Sequence, residues 1–432
     1  MFVLDKLNRV QIADGVYFNR IFDDRFKTSR IAVTMLVGLN RDTVAANALV
    51  PNVLTRCCKR YPSFLELSRQ LNMMYGAALS GRGGKLGEVQ PITISAACID
   101  DRYALDGESV YKQLAELVCS VIFEPKLTDG CFDTEDFKQE QRQMLDAIDT
   151  EYNDKRVYAF NQMLQTMCED ELYSISKHGT KEQVLALTPQ CVYDAYKEII
   201  KTARVEIMCL GSTDSDEVCE LFKEKFSQIE RKPLTYKTEV IQKALTVKEK
   251  TEKINVMQSK LILGFRTASA QPNDEQVAQT TLMGMVLGGT AHSKLFLNVR
   301  EKLSLCYYCA CRFDGYKGIM YIESGVEKQN IEKAKTAILE QLEDMKNGVI
   351  TDEEIASAKL SVSNSFLSSV DSSSGTQSWY IGQILKGTQR TPQEEADLLC
   401  SVTKEQIVVA ANKLTLDTVY VLTSKDTAEE GE

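Results

Sequence analysis

Arg30-Ile-Ala-Val-Thr-Met-Leu-Val-Gly38 is answered about 230 residues later by Lys260-Leu-Ile-Leu-Gly-Phe-Arg266, and this correspondence decides how the chain is organised. Both are apolar runs of the length a buried strand has. Reading outward, Leu65-Glu-Leu-Ser-Arg-Gln-Leu-Asn-Met-Met-Tyr75 matches Leu297-Asn-Val-Arg-Glu-Lys-Leu-Ser-Leu-Cys-Tyr307. A second strand follows in each half, Ile92-Thr-Ile-Ser-Ala-Ala-Cys98 and Ile319-Met-Tyr-Ile-Glu-Ser-Gly325. A long amphipathic helix comes next. In the second half its stripe is Ile331, Ala334, Ile338, Leu342 and Met345, stopped by Asn347-Gly348. Thr351-Asp-Glu-Glu354 and Thr403-Lys-Glu-Gln406 are capping boxes that open later helices.

The order strand, helix, strand, helix, helix lacks regular βαβ crossovers. It predicts an α+β fold of two tandem homologous domains, each a mostly antiparallel sheet with helices packed on one face. The expected boundaries are an N-terminal domain over 1–226, a linker over 227–253 and a C-terminal domain over 254–432. The linker reading rests on a charged, weakly periodic stretch, Ile229-Glu-Arg-Lys-Pro-Leu-Thr-Tyr-Lys237.

The composition narrows the function classes. Of 432 residues, 44% are apolar and 26% charged, which is the balance of a soluble globular chain. A net charge of −10 argues against a nucleic-acid partner, since phosphates would go unneutralised. No run approaches the roughly 18 apolar residues of a membrane span, so no membrane partner is expected. Asp5, Lys6 and Arg9 interrupt the N-terminus before any apolar signal region, so a secretory signal is not expected either. Thirteen cysteines without a paired C-x-x-C spacing read as free thiols in a reducing cytosol, and a cytoplasmic location is expected.

Unaided catalysis is not expected. The two histidines, His178 and His292, lie far apart in the chain, whereas a zincin places two on one helix four residues apart. No Gly-x-Ser-x-Gly elbow occurs, and a serine or cysteine nucleophile would have almost no histidine to serve as base. Gly81-Arg-Gly-Gly-Lys-Leu-Gly87 lacks the hydroxyl residue a phosphate loop needs after its lysine, and reads as a hairpin turn.

One segment carries a resemblance. Gly288-Gly-Thr-Ala-His-Ser-Lys-Leu-Phe-Leu-Asn-Val-Arg-Glu-Lys-Leu-Ser-Leu-Cys-Tyr307 is similar to the C-terminal half-site of the pitrilysin/insulinase (inverzincin) family of zinc peptidases, which includes mitochondrial processing peptidase. The resemblance implies that Arg300 and Tyr307 hold substrate backbone and the tetrahedral oxyanion. A guanidinium and a phenol are suitable donors for developing negative charge. It further implies substrate contacts at Gly288, Gly289, His292 and Ser293. Similarity continues in the first half through His178-Gly-Thr180, Leu187-Thr188 and Val205-Glu-Ile-Met-Cys-Leu-Gly211.

The chain departs from the family where H-x-x-E-H belongs. Asn47, Val50 and Pro51 stand there, and Pro51 is expected to disturb a helix interior. The distal glutamate ligand would fall between Gln139 and Asp146. The resemblance therefore implies a non-catalytic subunit that binds no cofactor itself. It pairs with a homologous zinc-bearing chain, and the two enclose an unfolded peptide. A catalytically dead scaffold is the alternative.

Overall fold

The computed structural model describes residues 7–425. Besides a short hairpin of Leu127–Thr128 with Cys131–Phe132, its strands are β1 (Asn8–Ala13), β2 (Val16–Phe22), β3 (Thr28–Gly38), β4 (Ala78–Gly83), β5 (Val89–Ile99) and β6 (Arg204–Gly211), then β7 (Lys248–Lys253), β8 (Ser259–Arg266), β9 (Cys306–Asp314), β10 (Ile319–Val326) and β11 (Thr415–Thr423). They make two sheets, β1-β2-β6-β3-β5-β4 and β9-β10-β8-β11-β7. From the edge strand β4 inward, the first order is the second repeated, with β1 added at the far side. Each sheet has one parallel pair, β2 with β6 and β11 with β7, at matching places, and its other pairs are antiparallel. The duplicated α+β architecture expected from the sequence is what the chain adopts.

Each quoted run becomes a central strand because it is buried almost throughout. β3 shows one fully exposed position in eleven, and β8 none. A strand lacking in/out alternation must be covered on both faces. In the first unit one face packs on the helices Val44–Leu54, Val110–Phe123 and Pro189–Thr202, around Ile31, Val33, Met35, Ile92, Ile94 and Leu114. In the second it packs on Asp274–Gly284, Ile331–Lys346 and Lys404–Lys413, around Leu261, Leu263, Phe265, Ile322 and Ile338. The stripe on Ile331–Lys346 buries Ala334, Ile338, Leu342 and Met345, and Gly348 follows with φ +76°. Both capping boxes form.

The second face of each sheet is covered too, and the covering helix comes from the other half of the sequence. The first unit takes in residues up to Asp149, Ile175–Lys237 and Ser369–Thr391; the second takes in Thr150–Ser174, Thr238–Ser368 and the residues from Pro392 onward. In the first unit Tyr380, Ile381 and Ile384 of the helix Ser373–Lys386 pack with Ile21, Met208 and Leu210. In the second, Ala159, Met163 and Met167 of Lys155–Met167 pack with Ile262, Tyr420 and Leu422. Gly264 makes room for the latter helix, since a Cβ there would stand 2.8 Å from the Met167 sulfur. The 227–253 stretch is tied down at both ends. Arg231, only 8% exposed, donates to the carbonyls of Asp14, Ile200 and Ala203, and Lys248–Lys253 is strand β7.

A buried ionic cluster fixes Thr150–Ser174 within the second unit. Glu171 accepts from Arg266 Nη2 at 2.6 Å and from Lys317 Nζ at 2.6 Å. Arg266 Nε donates to Asp417 at 2.8 Å, and all four side chains are at least nine-tenths buried.

All thirteen cysteines are free, ten of them buried and only Cys191 and Cys400 exposed. Burial pushes the Cys98, Cys168 and Cys311 thiols up to about 12. The thiolate is the nucleophile, so these side chains should resist alkylation in the folded protein. Iodoacetamide at pH 8 should label Cys191 and Cys400 first, read by peptide mass spectrometry. Equal labelling of Cys311 without unfolding would contradict the packing around β9.

Candidate functional site

The glycine-rich segment begins as the helix Asp274–Gly284, capped by Asn273, whose side chain accepts from the Gln276 N–H. The chain then widens into a π-type turn over Met285–Gly289. Gly288 has φ −156° and ψ 18°, outside the left-handed region, so no positive φ demands glycine there. Space does. A Cβ at Gly288 would lie 2.7 Å from Cys311 of β9 and 2.8 Å from Leu295, and one at Gly289 would lie 2.5 Å from the Met285 sulfur. Gly288 is buried and gives β9 its room, while Gly289 is on the surface.

His292 is exposed, and its backbone N–H donates to Thr290 Oγ1 at 3.1 Å. Ser293 turns inward. It is 2% exposed, and its hydroxyl donates to the Thr290 carbonyl at 2.6 Å, so its contribution is to the shape of the turn. Lys294 is buried beside it and pairs with Glu354 at 3.0 Å.

The helix Leu295–Lys302 follows and carries Arg300 outward, while Leu295 and Val299 face the core. The chain reverses at Ser304, at φ +51°, and enters β9. Cys306 pairs with Val326 and Tyr308 with Gly325, leaving Tyr307 as the extra residue of a bulge. A bulge re-aims its side chain, and Tyr307 is 60% exposed at a sheet edge. Arg300 Nε donates to the Tyr307 carbonyl at 2.9 Å, and its guanidinium lies 4.5 Å over the Phe296 ring. Arg300 Nη1 is 3.2 Å from Glu301, and the Tyr307 hydroxyl donates to Glu327 at 3.4 Å. The structure thus brings the two residues together, joined through backbone. Of the five guanidinium donors, these two contacts engage two. Glu327 was not legible in the sequence: no motif marks a carboxylate twenty residues past the tyrosine.

The helix Val44–Leu54 carries Asn47, Val50 and Pro51 and is buried at every position except Asn52. Pro51 does not break it. The Asn47 carbonyl loses its usual N–H partner, but the helix runs on to Leu54 because packing on every side holds it. The Asn47 amide donates to Gln90 Oε1 at 3.2 Å and Thr43 Oγ1 at 3.3 Å. A zinc ion needs N, O or S donors at about 2.0–2.3 Å, and an engaged amide, an isopropyl group and a pyrrolidine ring offer none that suits it. Between Gln139 and Asp146 the buried carboxylate is Glu140, and it accepts from Arg56 Nη1 at 2.9 Å. Arg56 Nε holds Asp136 at 2.8 Å. These residues do not fit the metal: a guanidinium already neutralises the carboxylates. Among the described residues no group of three or more His, Cys, Asp or Glu side chains is placed to hold an ion.

Strand β4 lies directly on this helix. A Cβ at Gly81 would stand 2.1 Å from the Pro51 carbonyl oxygen, and one at Gly83 3.2 Å from Ala48 Cα. Gly81→Ala should cost about 1–3 kcal/mol by overpacking, since a backbone carbonyl cannot rotate away. Urea unfolding checks this, and an unchanged midpoint would show that the strand is not seated there.

Comparison with known proteins gives a consistent picture. The sequence profile of the family described as "Peptidase M16 inactive domain" matches residues 186–362. A Bacillus subtilis (strain 168) protein described as the probable inactive metalloprotease YmfF is 30% identical over 408 residues, 94% of this chain and 96% of that one. A solved structure of a conserved protein from Enterococcus faecalis V583 superposes with a TM-score of 0.90 at 25% identity, covering 98% of this chain and 99% of that chain. A peptidase M16 inactive domain from Pseudomonas fluorescens superposes with a TM-score of 0.76 at 16% identity, over 97% and 98%, and speaks to the fold alone.

Proposed function

The chain belongs to the M16 (pitrilysin/insulinase) peptidase family as an inactive member without the zinc motif, and we propose that it is the substrate-binding companion of a zinc-bearing M16 chain. The carrying observation is an asymmetry between its halves. The helix that would hold metal is closed by packing, whereas Arg300 and Tyr307 stand at the surface beside the sheet edge. In this reading an unfolded peptide is enclosed between the two chains and adds as a strand to the edge of the partner's sheet. Zinc held by the partner would supply the activation of water, and Arg300 and Tyr307 of this chain would donate to substrate backbone and oxyanion. Gly289 and His292, both exposed, flank the substrate path; Gly288 and Ser293 act from beneath it. Free thiols of this number support a reading in which the complex works in a reducing cytosol.

One observation favours a scaffold without turnover: Arg300 Nε is already occupied by the Tyr307 carbonyl. Mixing this chain with a companion that carries H-x-x-E-H separates the readings. The proposal expects peptide hydrolysis to require both chains, and the scaffold reading expects the companion's rate to be indifferent to this one.

A further inference from the structure

Lys294 sits where a lysine is costly. It is 5% exposed, and it immediately precedes the helix Leu295–Lys302, whose N-terminal dipole end disfavours a cation. Packing alone gives no reason for a charge there, since an apolar side chain of similar length would fill the space. Its partner is Glu354, in the first turn of the helix Asp352–Ser368. Glu354 Oε1 faces Lys294 Nζ at 3.0 Å, while its Oε2 accepts from the Thr351 N–H at 2.8 Å. The Glu354 N–H in turn donates to Thr351 Oγ1 at 3.2 Å, closing the capping box. Both carboxylate oxygens are therefore committed, and the carboxylate is itself held by a helix start. On the other side, Ser293 Oγ holds the Thr290 carbonyl and the Leu297 N–H donates to the Ser293 carbonyl at 2.9 Å.

We propose that the ion pair between buried Lys294 and half-buried Glu354 is a positioning device that anchors the glycine-rich turn and the start of the Arg300 helix to the helix Asp352–Ser368. The functional consequence rests on the substrate-binding reading above; the anchoring itself does not. Val286 and Leu287 root the turn in the core, but residues 289–292 bring no buried side chain to it, and such a stretch opens locally unless something ties it. The ion pair ties this one at the residue where turn becomes helix. Arg300 lies six residues further along that helix, so its donors inherit whatever orientation Lys294 sets.

The test uses the full chain as wild type, Lys294→Met, Lys294→Arg and Glu354→Gln, followed first by amide hydrogen exchange. Lys294→Met and Glu354→Gln should speed exchange across 286–304 at least tenfold while 259–266 in β8 stays as protected as in wild type. Lys294→Arg should restore most of the protection, because it keeps the charge. In the second arm, a zinc-bearing companion with H-x-x-E-H is added and reduced, carboxymethylated lactalbumin serves as the unfolded substrate. Lys294→Met should then raise KM about tenfold or more, as misplaced donors do. Unchanged exchange across 286–304 in Lys294→Met overturns the proposal, and so does a rise shared equally by β8, which would mark a merely structural pair. No hydrolysis by the wild-type mixture would count against the substrate-binding reading alone and leave the exchange result to decide the anchor.

Discussion

Glu171→Gln is expected to destabilise the second unit by about 3–5 kcal/mol, the usual cost of removing one partner from a buried ion pair. The variant keeps the volume and removes the charge. It leaves buried Arg266 with Asp417 and takes away the carboxylate charge that faces buried Lys317. A loss of that size should lower the melting midpoint on the order of 10 °C in calorimetry. The acid limb should change as well. Burial by itself would raise the Glu171 carboxyl, but hydrogen bonds from Arg266 and Lys317 prevail and hold it below the usual glutamate range. A carboxyl lowered by folding contributes stability above its unfolded pKa and gives it up as pH falls through the folded value. Wild type should therefore lose stability below about pH 4, and Glu171→Gln should show a flatter dependence there. An unchanged midpoint in the variant would mean that the cluster does not hold Thr150–Ser174 on its sheet.

The second large effect concerns the paired donors. In the mixture with a zinc-bearing companion, Arg300→Ala and Tyr307→Phe should each lower kcat by about 10²–10³-fold, as removal of an oxyanion donor does. The two losses should not add. Arg300 Nε holds the carbonyl of the bulge that aims Tyr307, so Arg300→Ala disturbs both donors, and the double variant should be little worse than it. Lys at 300 should recover only part of the rate, since a point charge cannot serve carbonyl and substrate together as a planar fork can. Equal rates for wild type and the double variant would remove these residues from the mechanism.

The sequence carried the duplication because the strands and the helices that follow them leave matching local patterns in both halves. It carried Arg300 and Tyr307 because they sit in one continuous segment. The exchanged helices left no such mark. Ala159, Met163 and Met167 repeat at helical spacing whichever sheet they cover, and nothing local says that the sheet belongs to the other half. Glu171 is 95 residues from Arg266, and a pairing at that separation has no signature in one sequence. Pro51 misled for a related reason: its local preference opposes a helix, but burial on all sides of Val44–Leu54 outweighs one lost hydrogen bond. The resemblance makes the two glycines of the turn substrate contacts; the closeness of Cys311 to Gly288 is a separate demand for glycine, which only the folded chain reveals.

The most direct measurement is hydrolysis of an unfolded polypeptide, with zinc supplied, by this chain alone, by an H-x-x-E-H companion alone, and by the two together. A chain whose metal helix is closed and whose oxyanion donors are presented should be silent alone and should raise the companion's rate by orders of magnitude. Hydrolysis by this chain alone, or a companion equally active without it, would contradict the account.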